Sequence, residues 1–119
     1  MSARLLIAED DTFIRGMIAE FLRDSGFHVI EAGNADEAVA VLESGTEVNL
    51  LFSDIKMPGT MDGCDLARRV REQWPDTRIL LTSGYSSALA EARSTAGPVL
   101  AKPYRPLSVL AAILSIVEP

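Results

Sequence analysis

Several things are scarce in this sequence, and each scarcity excludes something. Among 119 residues there is one cysteine, one histidine and one tryptophan. Cys64 has no partner for an internal disulfide, which fits a reducing compartment and gives the expectation of a cytoplasmic protein. It lies in a helical pattern, so a small buried side chain is expected rather than a reactive thiol. No apolar run approaches the roughly 20 residues of a membrane span, and the N-terminus lacks the apolar core of a signal peptide. Repeats and low-complexity tracts are absent. There is no Gly-rich loop of the GxxxxGK type, so the chain is not expected to hold a nucleotide itself. Cations are outnumbered, with 11 Lys and Arg against 17 Asp and Glu, for a net charge of −6. That balance argues against direct binding of nucleic acid or an anionic membrane, whose phosphates would be repelled. The remainder, 48% hydrophobic and 24% charged, is ordinary for one soluble domain.

What is present is a set of short apolar runs, each ending in chemistry. Arg4 to Ala8 leads into Glu9-Asp10-Asp11, and Leu50 to Ser53 leads into Asp54. Arg78 to Thr82 leads into Ser83-Gly84, and Val99 to Ala101 leads into Lys102-Pro103. Runs without alternation read as strands buried on both faces. A weaker strand is expected over Phe27 to Glu31.

Between the strands lie helical patterns. Ile14, Met17, Ile18, Phe21 and Leu22 form one stripe, with Gly26 as a stop. Asn34 to Glu37 resembles a capping box opening a helix with Ala38, Val41 and Leu42 inward. A third helix carries Leu66, Ala67, Val70 and Trp74 before Pro75. A short Ala- and Ser-rich helix is expected over 86–95. Pro106 suits the first turn of a last helix with Leu107, Leu110, Ile113, Leu114 and Val117 inward. Five βα units in one domain predict an α/β fold: a five-stranded parallel doubly wound sheet, helices on both faces. The expected strand order is the flavodoxin-like 2-1-3-4-5, which makes Glu9, Asp10 and Asp54 neighbours.

Three crowded carboxylates raise one another's pKa values and call for a compensating cation. Hard oxygen donors at a partly open site suit Mg²⁺. A carboxylate beside such a metal can act as a nucleophile toward a phosphoryl group, giving an aspartyl phosphate. Lys102 would pair with a phosphoryl oxygen, and the Ser83 hydroxyl would donate to another.

These residues, taken together over the whole length, resemble the receiver domain of two-component response regulators. The carriers are Ile7-Ala8-Glu9-Asp10-Asp11 with Arg15, Asp54-Ile55-Lys56-Met57-Pro58 with Asp62-Gly63, Leu81-Thr82-Ser83-Gly84, and Lys102-Pro103. The resemblance implies that Asp54 is the phosphoacceptor and that Glu9 and Asp10 organise Mg²⁺, with Arg15 fixing their register. It implies a third metal contact from the main-chain carbonyl of Lys56. The switch hydroxyl falls on Ser83, with Thr82 the alternative register, and the lysine on Lys102. A cis bond is expected between Lys102 and Pro103. The resemblance also implies that Lys56 and Tyr85 occupy positions that control access of hydrolytic water.

The sequence departs from the common pattern in three places. The loop from Met57 to Gly63 is one residue longer, the segment between Ser83 and Lys102 is short, and Val99 stands where many receivers carry an aromatic. A histidine kinase or histidine phosphotransfer protein would donate the phosphoryl group, and output would pass to a downstream protein. The chain ends just after its last helix, giving the expectation of a stand-alone switch rather than an enzyme with external turnover. An excised receiver of a hybrid kinase would look alike. A haloacid-dehalogenase-type phosphatase shares the strand-end aspartate but wants a second aspartate where Lys56 stands.

Overall fold

The computed structural model describes residues 3–84 and 97–117. Five strands form one parallel sheet: β1 (Arg4–Ala8), β2 (His28–Ala32), β3 (Leu50–Asp54), β4 (Arg78–Ser83) and β5 (Val99–Ala101). Their order is β2-β1-β3-β4-β5, as expected. The described helices are α1 (Thr12–Asp24), α2 (Ala35–Glu43), α3 (Gly63–Gln73) and α4 (Pro106–Val117). The short helix expected over 86–95 and Tyr85 lie outside the described residues.

Alternation along each strand splits the core into two layers. Leu6, Ala8, Leu51, Ile79 and Leu81 pack with Leu42, Leu66 and Val70 of α2 and α3. Leu5, Ile7, Leu50, Phe52 and Leu80 pack with Ile18 and Leu22 of α1 and Val109 and Ile113 of α4. Cys64 is buried in the first layer, as expected.

The helix ends follow local chemistry. Asp11 caps α1, its carboxylate accepting from the Ile14 amide at 3.0 Å. Asn34 caps α2 by accepting from the Glu37 amide at 2.8 Å. The Glu37 carboxylate, however, takes the Gly33 amide rather than that of Asn34, so the reciprocal arm is displaced by one residue. The full capping box belongs to α3, where Asp62 and Asp65 exchange side-chain-to-backbone bonds.

Two expected stripes are wrong in part. Met17 is 44% exposed on α1, and Ala19 takes the buried place. On α4 Leu107 is 69% exposed and Leu114 faces outward, while Val109 and Ile113 are buried. That helix, PLSVLAAILSIV, is apolar nearly all round. Its periodicity therefore carries little directional information, and packing against β4 and α1 chooses the inward face.

Candidate functional site

The carboxyl ends of β1, β3, β4 and β5 open onto one cleft of about 780 Å³. Asp10, Asp54, Lys56, Ser83, Gly84 and Lys102 line it, with Met57 and Pro58 from the loop after β3. The parallel register explains the meeting. Ala8 pairs with Ser53, Asp54 with Thr82, and Ser83 with Ala101, so the residue that follows or ends each run stands at one level.

The acids come first. Carboxylate oxygens of Glu9, Asp10 and Asp54 lie within 4.8 Å of one another. Glu9 and Asp54 are buried, and Asp10 is exposed. Burial pushes the Glu9 carboxyl above its ordinary pKa, and the nearby Asp54 adds to that. Burial likewise raises Asp54, against the opposing pull of Lys102 and of a hydrogen bond from the Lys56 amide. The Lys102 ammonium lies 3.1 Å from Asp54 Oδ2 and 3.6 Å from Glu9 Oε1. Its partial burial lowers its pKa, but the two carboxylates outweigh this and the net direction is up. The Lys102 ammonium thus faces two of the three carboxylates. Three hard-oxygen donors, two of them buried and one open to solvent, fit a small divalent cation such as Mg²⁺.

Asp54 is held through its backbone. The start of α3 lies so close that a Cβ on Gly63 would collide with the Asp54 carbonyl oxygen and approach Ile55 Cα to 2.7 Å. The Gly63 amide donates to the Ile55 carbonyl at 2.7 Å, and the Ser53 hydroxyl donates to the Asp54 carbonyl at 2.9 Å. Only glycine permits this approach. On the other side, the Ile55 amide donates to the Thr82 carbonyl at 2.9 Å.

The sequence expectations sort clearly against this geometry. Glu9, Asp10, Asp54, Lys56, Ser83 and Lys102 converge. Asp11 does not join them as an acid of the cluster, because its carboxylate caps α1. Thr82 and Ser83 are adjacent, and Ser83 lines the cleft. The Thr82 hydroxyl is instead buried with no hydrogen-bond partner, so the alternative register does not bring it to the cleft. Val99 packs half-buried against the α2–α3 layer, away from the cleft lining. The Lys102–Pro103 peptide is cis.

Tyr104 was not anticipated. Its ring meets Phe52 edge-on at a centroid distance of 5.9 Å, and burial raises its phenol pKa, with Glu9 contributing. The available signal was an aromatic two residues past a strand-end lysine. Arg15, read from sequence only as a register mark, donates from Nη1 to the Glu9 carbonyl at 2.8 Å.

Known proteins match both the sequence and the fold. A family profile described as the response regulator receiver domain matches residues 5–114. The response regulator receiver protein CpdR of Brucella abortus is 36% identical over 104 residues, covering 85% of each chain. The sensor kinase CckA of the same organism is 37% identical over 86 residues, which is 71% of this chain and 9% of that one. The transcriptional regulatory protein PdtaR of Mycobacterium tuberculosis is 35% identical, over 92% of this chain and 54% of its own length. The chain therefore spans only about half of PdtaR and a small fraction of CckA.

Among solved structures, a CheY-like receiver domain protein from Methanospirillum hungatei superposes with a TM-score of 0.87 at 27% identity, covering 97% and 93% of the two chains. The receiver domain of the hybrid histidine kinase CckA gives 0.80 at 29% identity, over 94% and 96%. No described helix is long and apolar enough to cross a membrane. With the acid cluster, the strand-end aspartate and the lysine all placed on a sheet of this order, the chain belongs to the response regulator receiver domain family.

Proposed function

We propose that this chain is a phosphorylation-controlled switch in which Asp54 accepts a phosphoryl group from a phosphohistidine donor. The observation that carries the reading is the Asp54 carboxylate itself: buried, 3.1 Å from Lys102 Nζ, and within 4.8 Å of the Glu9 and Asp10 oxygens. Glu9, Asp10, Asp54 and the Lys56 carbonyl would hold Mg²⁺. When bound, that ion offsets the acidic charge and accepts phosphoryl oxygens.

The chain's own groups do the rest. An Asp54 carboxylate oxygen attacks phosphorus, the phosphorus–oxygen bond forms, and the phosphorus–nitrogen bond to the donor imidazole breaks. The imidazole leaves with the bonding pair and takes up a proton. Burial of Asp54 limits competition from water at the nucleophile, and because the acyl phosphate carries more negative charge than the carboxylate, Lys102 and a bound cation are needed to offset it. Lys102, already paired with Asp54, transfers its ammonium hydrogen bond to a phosphoryl oxygen, and the Ser83 hydroxyl donates to another.

The donor is a histidine kinase or histidine phosphotransfer protein, and the output is a contact with a downstream protein. The only catalysis expected is self-directed transfer and slow loss of the phosphate. Relatedness to the receiver of CckA supports a role in phosphate relay as well as in a separate regulator. The phosphatase alternative needs an acid at the position held by Lys56.

Intact mass after incubation with acetyl phosphate tests the reading. One phosphoryl increment should appear with Mg²⁺ and vanish with chelator. Asp54→Asn should abolish it, a complete loss of labelling. Undiminished labelling of that variant overturns the assignment.

A further inference from the structure

Every stabilised cluster of like charges needs something that holds the charges in place, and here the holder is visible. Glu9 and Asp10 sit on the turn between β1 and α1. The Glu9 peptide is tied at both ends. Its amide donates to the Ala32 carbonyl on β2 at 3.0 Å. Its carbonyl accepts from Arg15 Nη1 at 2.8 Å. Arg15 also donates through its main-chain amide to the Asp11 carbonyl at 2.9 Å. One residue therefore closes the turn twice, at Glu9 with its side chain and at Asp11 with its backbone.

The guanidinium is itself braced. Arg15 Nε meets Glu31 Oε1 at 3.3 Å, and the other oxygen of Glu31 takes Arg23 Nη1 at 3.2 Å. Arg23 Nη2 returns to the strand by donating to the Val29 carbonyl at 2.9 Å. The Arg15 side chain is 19% exposed. At the turn, what Arg15 grips is the Glu9 carbonyl, not the carboxylate of Glu9 or Asp10. Its contribution is geometric: the plane of the Glu9–Asp10 peptide sets where the Asp10 carboxylate points. A planar fork reaching a carbonyl on one side and a carboxylate on the other is a task for Arg, not for the single ammonium of Lys.

We propose that Arg15, braced by Glu31 and Arg23, is a positioning residue of the cation centre, presetting the Glu9–Asp10 turn so that both carboxylates face Asp54. The inference rests on the cation reading above. Groups that orient metal ligands without touching the metal commonly cost about 10–100-fold in affinity when removed.

Calorimetric titration with Mg²⁺, thermal unfolding without Mg²⁺, and amide hydrogen exchange at Asp10 test it together. Arg15→Ala should weaken Mg²⁺ binding by about tenfold or more and speed exchange at Asp10. Arg15→Lys should not restore the affinity. Glu31→Gln should have a smaller effect in the same direction. The double variant Arg15→Ala with Glu31→Gln should bind no more weakly than Arg15→Ala, because Glu31 acts through Arg15.

Wild-type Mg²⁺ affinity in Arg15→Ala, or in Arg15→Lys should the alanine variant not fold, overturns the inference and leaves a brace for stability only. Additive losses in the double variant also overturn it. Absence of Mg²⁺ binding by the wild-type chain overturns the cation reading itself, and this inference with it.

Discussion

The two halves of the cleft are built differently. On the acid side, β3 is buried over its whole length and the Asp54 backbone is pinned between Gly63, Ser53 and Thr82. Glu9 is tied at its amide, its carbonyl and, through Oε2, to the Asp11 amide at 3.1 Å. On the other side, β5 is three residues long and only half-buried to exposed. Ser83 and Lys102 are joined there by one main-chain bond, from the Lys102 amide to the Ser83 carbonyl at 3.0 Å. Ser83 itself ends the buried strand β4, so the light packing belongs to the β5 support of Lys102. Groups of like charge need rigid preorganisation, whereas a lysine proposed to follow a phosphoryl group gains from a lightly packed support. Strength and give thus lie on opposite sides of one small site.

The largest effect is expected at Gly63. Gly63→Ala puts a Cβ into the Asp54 carbonyl, and neither backbone can yield cheaply. A loss of about 3 kcal/mol is expected in urea unfolding, together with defective labelling of Asp54. An equally stable Gly63→Ala protein would show that the acid side is not pinned through that contact.

The next effect is electrostatic. Burial lifts Glu9 and Asp54 above their ordinary values of 4.5 and 3.8. The folded protein then keeps these protons to higher pH than the unfolded chain does. As pH rises through that interval, the unfolded chain ionises first and the metal-free protein loses stability. A divalent cation binds the ionised form and reverses the loss. Mg²⁺ should therefore raise the unfolding temperature more at about pH 7 than at about pH 4. At a concentration one hundred times Kd the gain is about 2.7 kcal/mol. A pH-independent shift would place the ion elsewhere.

The smallest effect sharpens the contrast on β4. Thr82→Val removes a buried hydroxyl that has no partner. Stability should rise by about 1 kcal/mol with labelling of Asp54 unchanged. Ser83→Ala, one residue on, should slow labelling. Reversed outcomes would move the switch hydroxyl to Thr82.

Strand-end chemistry was legible because apolar runs fix the strands and parallel order fixes their neighbours. The acid cluster after β1, Asp54 and Lys102 follow from that, and the strand order places them together as expected. The register within a motif was less legible. Glu9-Asp10-Asp11 and Thr82-Ser83 each offer adjacent candidates of similar chemistry. Only the cap bond of Asp11 and the inward turn of Thr82 separate them. Contacts between distant elements were not legible at all. Gly63 read as a loop residue, although it is the residue that lets α3 touch the Asp54 backbone. Glu31 and Arg23 carry no motif, and their joint grip on Arg15 exists only once β2 lies beside β1. On α4 the uniform apolarity hid the buried face, and Leu107 and Leu114 were placed inward in error.

The short strand β5 has one further consequence. It is the last strand in the sheet order, and edge strands invite pairing with other chains. Pro98 precedes it and Pro103 follows Lys102, and neither proline has a backbone N–H with which to extend a ladder. Three residues between such stops are too few to template a second sheet. Lys102 can thus sit beside a short border strand without that strand becoming a seed for aggregation.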